Sequence, residues 1–149
     1  MPTSSKFLSV CKQCKAFCCS AVLPILTEEE KNRILSEGVP GHFIKIDHGL
    51  YRIKEGSTGV CPYLTKEKSC SIQNLKPKLC KIWPIIPRYK NNIRETLLIH
   101  CPLYPFLSDD EIMQAKKEAE ALPLDILRHL WDISLESKNK YKRFTYIEI

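Results

Sequence analysis

The hydrophobic and polar positions of the chain predict short helices and strands separated by irregular segments. The first helix begins at a capping box, in which Thr27 precedes the helix and Glu30 lies three residues later. Ile34 and Leu35 supply an apolar face, and Gly38 is placed to end the helix. This segment is therefore predicted as one short amphipathic helix.

Two regions of strand-like pattern follow. Residues 43–46 and 50–53 alternate apolar and polar side chains on either side of Asp47-His48-Gly49, which predicts a hairpin. Residues 61–87 are dense in proline and cysteine, so a short helical turn among loops is predicted there. Residues 93–100 have the composition of one more strand.

The C-terminal third is predicted to be mainly helical. A second capping box, Ser108 with Glu111, opens a helix that should continue to about Leu122. Pro123 can occupy the first turn of the last helix. The apolar face of that helix comprises Leu124, Leu127, Leu130 and Trp131. The tail, residues 144–149, alternates weakly and is predicted as an edge strand.

The composition indicates a single α+β domain over residues 1–149. Of the 149 residues, 44% are apolar and 27% charged, which predicts one core of modest size. The ten prolines indicate a loop-rich fold. All eight cysteines lie within residues 11–101, so we predict a small metal-organised module there, with a short β-hairpin or sheet. Two C-terminal helices would follow as an appendage over residues 103–149.

The first four cysteines form a compact cluster. Cys11 and Cys14 are separated by two residues, so both sulfurs can turn toward one metal, and Cys18 fits the same loop. Cys18 and Cys19 are adjacent and their side chains point in different directions. The pair therefore serves two different sites, or one member is a ligand and the other a reactive or packing residue.

The other four cysteines are spread along the chain and can meet only through tertiary folding. They are Cys61, Cys70, Cys80 and Cys101. Eight thiolates suit two four-sulfur sites, and we predict all eight as metal or cofactor ligands. The alternative is that one or two are buried cysteines that pack as small apolar residues.

The spacing favours an iron–sulfur cluster over Zn²⁺. Structural zinc usually uses two short-spaced cysteine pairs, and only one such pair exists here. Iron–sulfur loops tolerate mixed spacing with a distant closing ligand that is often followed by proline, as in Cys61-Pro62 and Cys101-Pro102. The loop that radical enzymes use to hold an open cluster has a different spacing, so that chemistry has no motif support.

The histidines and aromatic residues add little chemistry of their own. His100, next to Cys101, is the one histidine predicted as a ligand or as a hydrogen-bond donor to one. His129 is interpreted as a helix-face residue, and His42 and His48 as solvated turn residues. The aromatic residues beside the cysteines are interpreted as core that shields the site; they are Tyr63, Trp83, Tyr89 and Phe106. No hydrolase triad, phosphate-binding glycine loop or HExxH motif is found.

Charge and apolar runs exclude several classes of protein. No run of about 18 apolar residues predicts a membrane helix, and no apolar stretch typical of a signal peptide follows the N-terminus. A cytoplasmic, reducing compartment is therefore expected, where clustered thiols bind metal; the alternative is a secreted disulfide scaffold. The net charge of +6 is scattered and no recognition motif accompanies it, so nucleic acid is not expected as a partner.

An ordered set of motifs resembles the YkgJ-type cysteine-cluster family, described as zinc- or iron-chelating domains. The motifs are Cys11-x2-Cys14-x3-Cys18-Cys19, Gly59-Val60-Cys61-Pro62-Tyr63-Leu64, and Cys70-Ser71-Ile72 followed by Lys76-Pro77-Lys78-Leu79-Cys80-Lys81-Ile82-Trp83-Pro84. The first cluster has one residue more than the family pattern, Lys15 replaces its glycine, and Lys76 and Lys81 replace its arginines. The resemblance covers residues 11–84, with a late Cys-Pro at residues 101–102.

The resemblance implies metal binding and leaves the activity open. Older family labels name an iron–sulfur oxidoreductase, and one branch resembles the longer flagellin lysine methylases. Three hypotheses follow: an iron–sulfur binding or redox module, a structural zinc protein that acts through partners, and an iron–sulfur-dependent protein-modifying enzyme. The sequence identifies neither a catalytic residue nor a partner.

Overall fold

The protein has the predicted mixed α+β fold, and the residues that the structure describes form two three-stranded antiparallel sheets. The computed structural model describes residues 24–56, 60–67, 69–136 and 146–149. The four N-terminal cysteines lie outside these residues. Within the described ranges, no helix combines the length and the apolar run needed to cross a membrane.

The first sheet is built around the predicted hairpin. Its strands are β1 (Ile25–Thr27), β2 (Phe43–Asp47) and β3 (Leu50–Ile53), in the order β1-β3-β2. Gly49, in the turn between β2 and β3, has φ +67°, a conformation that glycine adopts at little cost. The hairpin prediction is confirmed, and β1 is an additional strand that was not predicted.

Helix α1 (Glu28–Ser36) begins and ends as the sequence predicts. The Thr27 hydroxyl accepts a hydrogen bond from Glu30 N at 3.2 Å, and Glu30 Oε1 accepts one from Thr27 N at 3.2 Å. Gly38, with φ +76°, donates its N–H to the carbonyl of Leu35 just after the helix ends. Ile34 is fully buried, whereas Leu35 remains 43% exposed, so only one of the two predicted apolar positions faces the core.

The second sheet contains a strand that the sequence pattern does not predict. Its order is β4-β5-β6, from β4 (Ile85–Lys90), β5 (Ile93–Ile99) and β6 (Tyr146–Glu148). Asn91 and Asn92 connect β4 to β5, and both have positive φ, as a two-residue type I′ turn requires. The prediction of loops up to residue 87 is therefore wrong over 85–87. The predicted C-terminal edge strand is confirmed for 146–148.

The two predicted C-terminal helices are present. Helix α3 (Asp109–Glu120) has the complete capping box of Ser108 and Glu111 and ends two residues before the predicted position. Helix α4 spans Leu124–Glu136, directly after Pro123. Leu127 and Leu130 are buried as predicted; the prediction for Trp131 lies outside the described side chains.

One buried apolar cluster, here called the main core, joins both sheets to both C-terminal helices. Strand and turn residues contribute Ile25, Leu50, Ile82, Ile85 and Leu98, and the helices contribute Ala115, Ala119, Leu122, Ile126, Leu127 and Leu130. The two alanines let α3 approach β4 and β5 closely. The main core therefore includes residues from before and after position 101.

Two polar contacts also tie the helices to the strands. Arg94 of β5 donates from Nη2 to the carbonyls of Glu120 and Leu122, at 2.8 Å each, where α3 leaves its last carbonyls without helical partners. Asp47 Oδ2 lies 3.2 Å from His129 Nε2 and links the end of β2 to α4. Hydrogen bonds from the following backbone N–H and then from His129 hold the pKa of Asp47 below its ordinary value.

Candidate metal centre

The four described cysteines lie in the segments that connect the sheets or follow them. Cys61 and Cys70 come between β3 and β4, Cys80 lies on the one-turn helix α2 (Lys78–Lys81), and Cys101 follows β5. None of the four belongs to a strand of either sheet. The backbone of all four residues therefore lies outside the hydrogen-bond ladders of the two sheets.

Backbone pairing brings the segments of Cys61 and Cys70 together. Leu64 and Cys70 form an isolated antiparallel bridge, and Ser71 N donates to the carbonyl of Tyr63 at 2.8 Å. Leu64 N in turn donates to the carbonyl of Cys61 at 3.1 Å, which closes a tight turn after this cysteine. Two cysteines nine residues apart thus share a small hairpin-like unit.

Cys61 and Cys70 both pack against the same apolar cluster, here called the α1 cluster. Its buried members are Leu26, Ile34, Ile53, Tyr63 and Ile72. Both cysteines are half-buried, so each has one side against apolar groups and retains some exposure. This arrangement suits a ligand that holds a metal at the edge of a core.

Tyr63 fixes this unit to the loop between α1 and β2. Its ring is 3% exposed, and its hydroxyl donates to the carbonyl of Pro40 at 2.8 Å and accepts from His42 N at 3.2 Å. Burial raises the pKa of Tyr63; the His42 N–H opposes the shift, and the charge of Cys61 adds to it. Tyr63 therefore connects the Cys61 turn to the loop that follows α1.

Tyr63→Phe tests this connection, because it removes the hydroxyl and keeps the ring. Net hydrogen bonds contribute about 0.5–1.5 kcal/mol each, and a Pro40 carbonyl left without its partner adds to the loss. We expect the free energy of unfolding to fall by about 1–2 kcal/mol. Urea denaturation of both proteins measures the difference. Tyr51→Phe is the matched control, since the hydroxyl of this half-buried ring makes no hydrogen bond to the residues that the structure describes. An equal loss in the control would contradict the assignment.

Cys80 is held by a single helical turn, which agrees with the prediction for this segment. Cys80 N donates to the carbonyl of Pro77 at 2.9 Å, and Pro77 is fully buried. Lys78 N donates to Glu30 Oε2 at 2.7 Å, although the two residues are 48 positions apart. The start of α2 is therefore attached to α1.

Cys101 occupies a third apolar cluster, away from Cys61 and Cys70. It is 6% exposed and packs with Trp83, Ile99 and Leu103. The neighbouring His100 stacks on Tyr104, with ring centroids 4.5 Å apart. Three of the four described cysteines thus divide between two apolar clusters, and Cys80 is held separately on α2.

The aromatic residues beside the cysteines behave differently from one another. Trp83 and Tyr63 are buried, which agrees with their interpretation as shielding core residues. Phe106 is 61% exposed, so that interpretation is wrong for this residue. His42 and His48 are exposed, as predicted.

The described cysteines supply the type of donor atom that a thiolate metal centre uses, but too few of these donors lie close together. Thiolates select soft or borderline metals such as zinc and the iron of iron–sulfur clusters. In the ranges that the structure describes, no group of three or more histidine, cysteine or acidic side chains is close enough to hold a metal ion. The predicted ligands Cys11, Cys14, Cys18 and Cys19 lie outside these ranges.

The fold and its cysteine-bearing segments define a small α+β cysteine-cluster protein. A family model named CxxCxxCC, described as a "Putative zinc- or iron-chelating domain", matches residues 10–118, and the chain belongs to this family. The match includes all eight cysteines and extends beyond the motifs into α3. No curated protein and no solved structure matches the chain. Membership identifies the chain as a zinc- or iron-chelating cysteine-cluster protein.

Proposed function

We propose that the protein holds one or two thiolate-ligated iron–sulfur centres and has a redox role. The observation that carries the proposal is the bridge between Leu64 and Cys70, which brings Cys70 and Cys61 to one apolar cluster. Hydrophobic packing alone does not require two cysteines at this position, because other small residues would fill the space. Membership in a zinc- or iron-chelating family supports a role as ligands.

The proposed centres combine cysteines from the two ends of the cysteine-rich region. Since the described ranges do not hold a complete site, Cys61 and Cys70 would be joined by thiolates of the N-terminal cluster. Cys80 and Cys101 would complete the set of eight ligands. Such a metal centre would hold together the irregular segments before β4, which have few regular elements of their own.

The surroundings of the described cysteines are compatible with an iron–sulfur centre, and the preference over zinc rests on the cysteine spacing. Cys101 is almost fully buried beside Trp83, so water has limited access to it, and Cys61 and Cys70 lie half-buried against the α1 cluster. Exclusion of water is one of the means by which proteins tune the potential of a cluster. A bound cluster would supply one-electron transfer. A reducing compartment such as the cytoplasm would keep the cysteines reduced and able to bind metal, so we expect the protein there.

Anaerobic purification followed by elemental analysis tests the proposal. Iron, zinc and acid-labile sulfide are measured per chain, together with an absorption spectrum. We expect a brown protein with iron and sulfide in similar amounts. A colourless protein with one or two zinc ions per chain would overturn the iron–sulfur assignment and indicate a structural zinc protein.

A further inference from the structure

The carboxylate of Glu30 joins two elements that are distant in the sequence. Its Oε1 atom accepts from Thr27 N at 3.2 Å and completes the capping box of α1. Its Oε2 atom accepts from Lys78 N at 2.7 Å. A capping box needs only the first of these contacts, so the second calls for a separate explanation.

The second contact acts on the helix that carries Cys80. Helix α2 has four residues, and no side chain of its own caps its first N–H groups, because Pro77 is at its N-cap position. Glu30 supplies the missing acceptor, and its negative charge strengthens the hydrogen bond. The position of Cys80 relative to α1 and the α1 cluster therefore depends on this carboxylate.

We propose that Glu30 is a positioning residue, which holds Cys80 for the thiolate metal centre. The inference rests on the proposed function in one respect, which is that Cys80 is a ligand of the metal centre. α1 packs its buried Ile34 into the cluster that also contacts Cys61 and Cys70. Because Glu30 lies on α1, its hydrogen bond to Lys78 N holds the segment of Cys80 to the same helix that packs against the cluster of Cys61 and Cys70.

The competing explanation is that Glu30 matters only as a cap of α1. Thr27→Ala separates the two roles, because it removes the hydroxyl of the capping box and leaves the contact between Glu30 and Lys78 in place. Glu29→Ala is the matched control for charge, since Glu29 is an exposed acidic residue in the same first turn.

The test compares the alkylation rates of individual cysteines in the protein as isolated. Iodoacetamide is the probe, and mass spectrometry gives the rates at Cys80, Cys61 and Cys70. In Glu30→Ala we expect the ratio of the Cys80 rate to the Cys61 rate to rise about fivefold or more, because loss of a contact of this strength changes a local opening equilibrium by that factor. Thr27→Ala and Glu29→Ala should leave the ratio within about twofold of wild type.

The outcomes separate this inference from the proposed function. An unchanged ratio in Glu30→Ala, or an equal rise in Thr27→Ala, overturns the positioning role. If all three cysteines react faster in Glu30→Ala, then Glu30→Gln, which keeps one amide oxygen as acceptor, decides. A ratio of the Cys80 rate to the Cys61 rate below that of Glu30→Ala supports the role, and a ratio equal to that of Glu30→Ala overturns it. Elemental analysis of the same samples reports separately whether the wild type binds metal.

Discussion

Cys14→Ser and Cys61→Ser are each expected to lose bound metal and most of the folded protein together. Structural metal sites can contribute about 10–16 kcal/mol, as measured for zinc in small domains, whereas a whole domain is stable by about 5–15 kcal/mol. Loss of one ligand from a centre that holds the irregular segments together would therefore remove most of the folded protein. Elemental analysis and circular dichroism of the purified variants measure the two losses.

Ser71→Ala is the matched control, because it removes one oxygen atom beside Cys70 from an exposed side chain and leaves every thiol in place. Full metal content and stability in Cys14→Ser or Cys61→Ser would contradict metal ligation by that cysteine.

The same experiment reports which cysteines share a centre. Cys61 and Cys70 belong to one hairpin-like unit, so the double variant should lose no more metal than either single variant. Cys101 lies in a different cluster, so Cys101→Ser should retain the centre of Cys61 if the protein has two. Additive losses for Cys61 and Cys70 would place them in separate centres.

The parts of the fold that the sequence predicts are those fixed by neighbouring residues. Both capping boxes depend on two residues three positions apart, and both are present, at Thr27 with Glu30 and at Ser108 with Glu111. The hairpin of β2 and β3 depends on alternation and on a glycine at positive φ, and these are also local signals.

The sequence does not predict strand β4, because its proline argues against a central strand. Pro87 lies within β4 and is paired with Thr96, but β4 is at the edge of its sheet, where a residue without an N–H is tolerated. The available signal was Asn91-Asn92, since two residues that tolerate positive φ between two apolar segments predict a hairpin.

The contacts that position the cysteines could not be predicted, because they join residues far apart in the chain. The capping box identifies Glu30 but not the partner of its second oxygen, which is 48 residues away. Tyr63 was predicted as core, and its hydroxyl bonds to Pro40 and His42 depend on how the first sheet packs. The number and identity of the cysteines, in contrast, are visible directly in the sequence.

Leu127→Ala is expected to destabilise the whole protein, including the region of the cysteines. Leu127 is 1% exposed in the main core, and its helix α4 contacts both β4 and β1. Truncating a buried leucine costs about 2–5 kcal/mol, through lost apolar burial and the cavity that remains. Urea denaturation followed by circular dichroism measures the loss, and Met113→Ala, at a residue that is 52% exposed on α3, is the matched control.

This variant also tests our proposal that residues 1–149 form one domain rather than a metal-binding module with an independent helical appendage. If the main core unites the two parts, metal release in urea should shift to lower concentration in Leu127→Ala by the same amount as the loss of helix. An appendage that unfolds by itself would lose its helix earlier, while the metal would be released at the wild-type concentration. Since Ile82 and Ile85 of the main core lie only two and five residues after Cys80, we expect the two transitions to coincide.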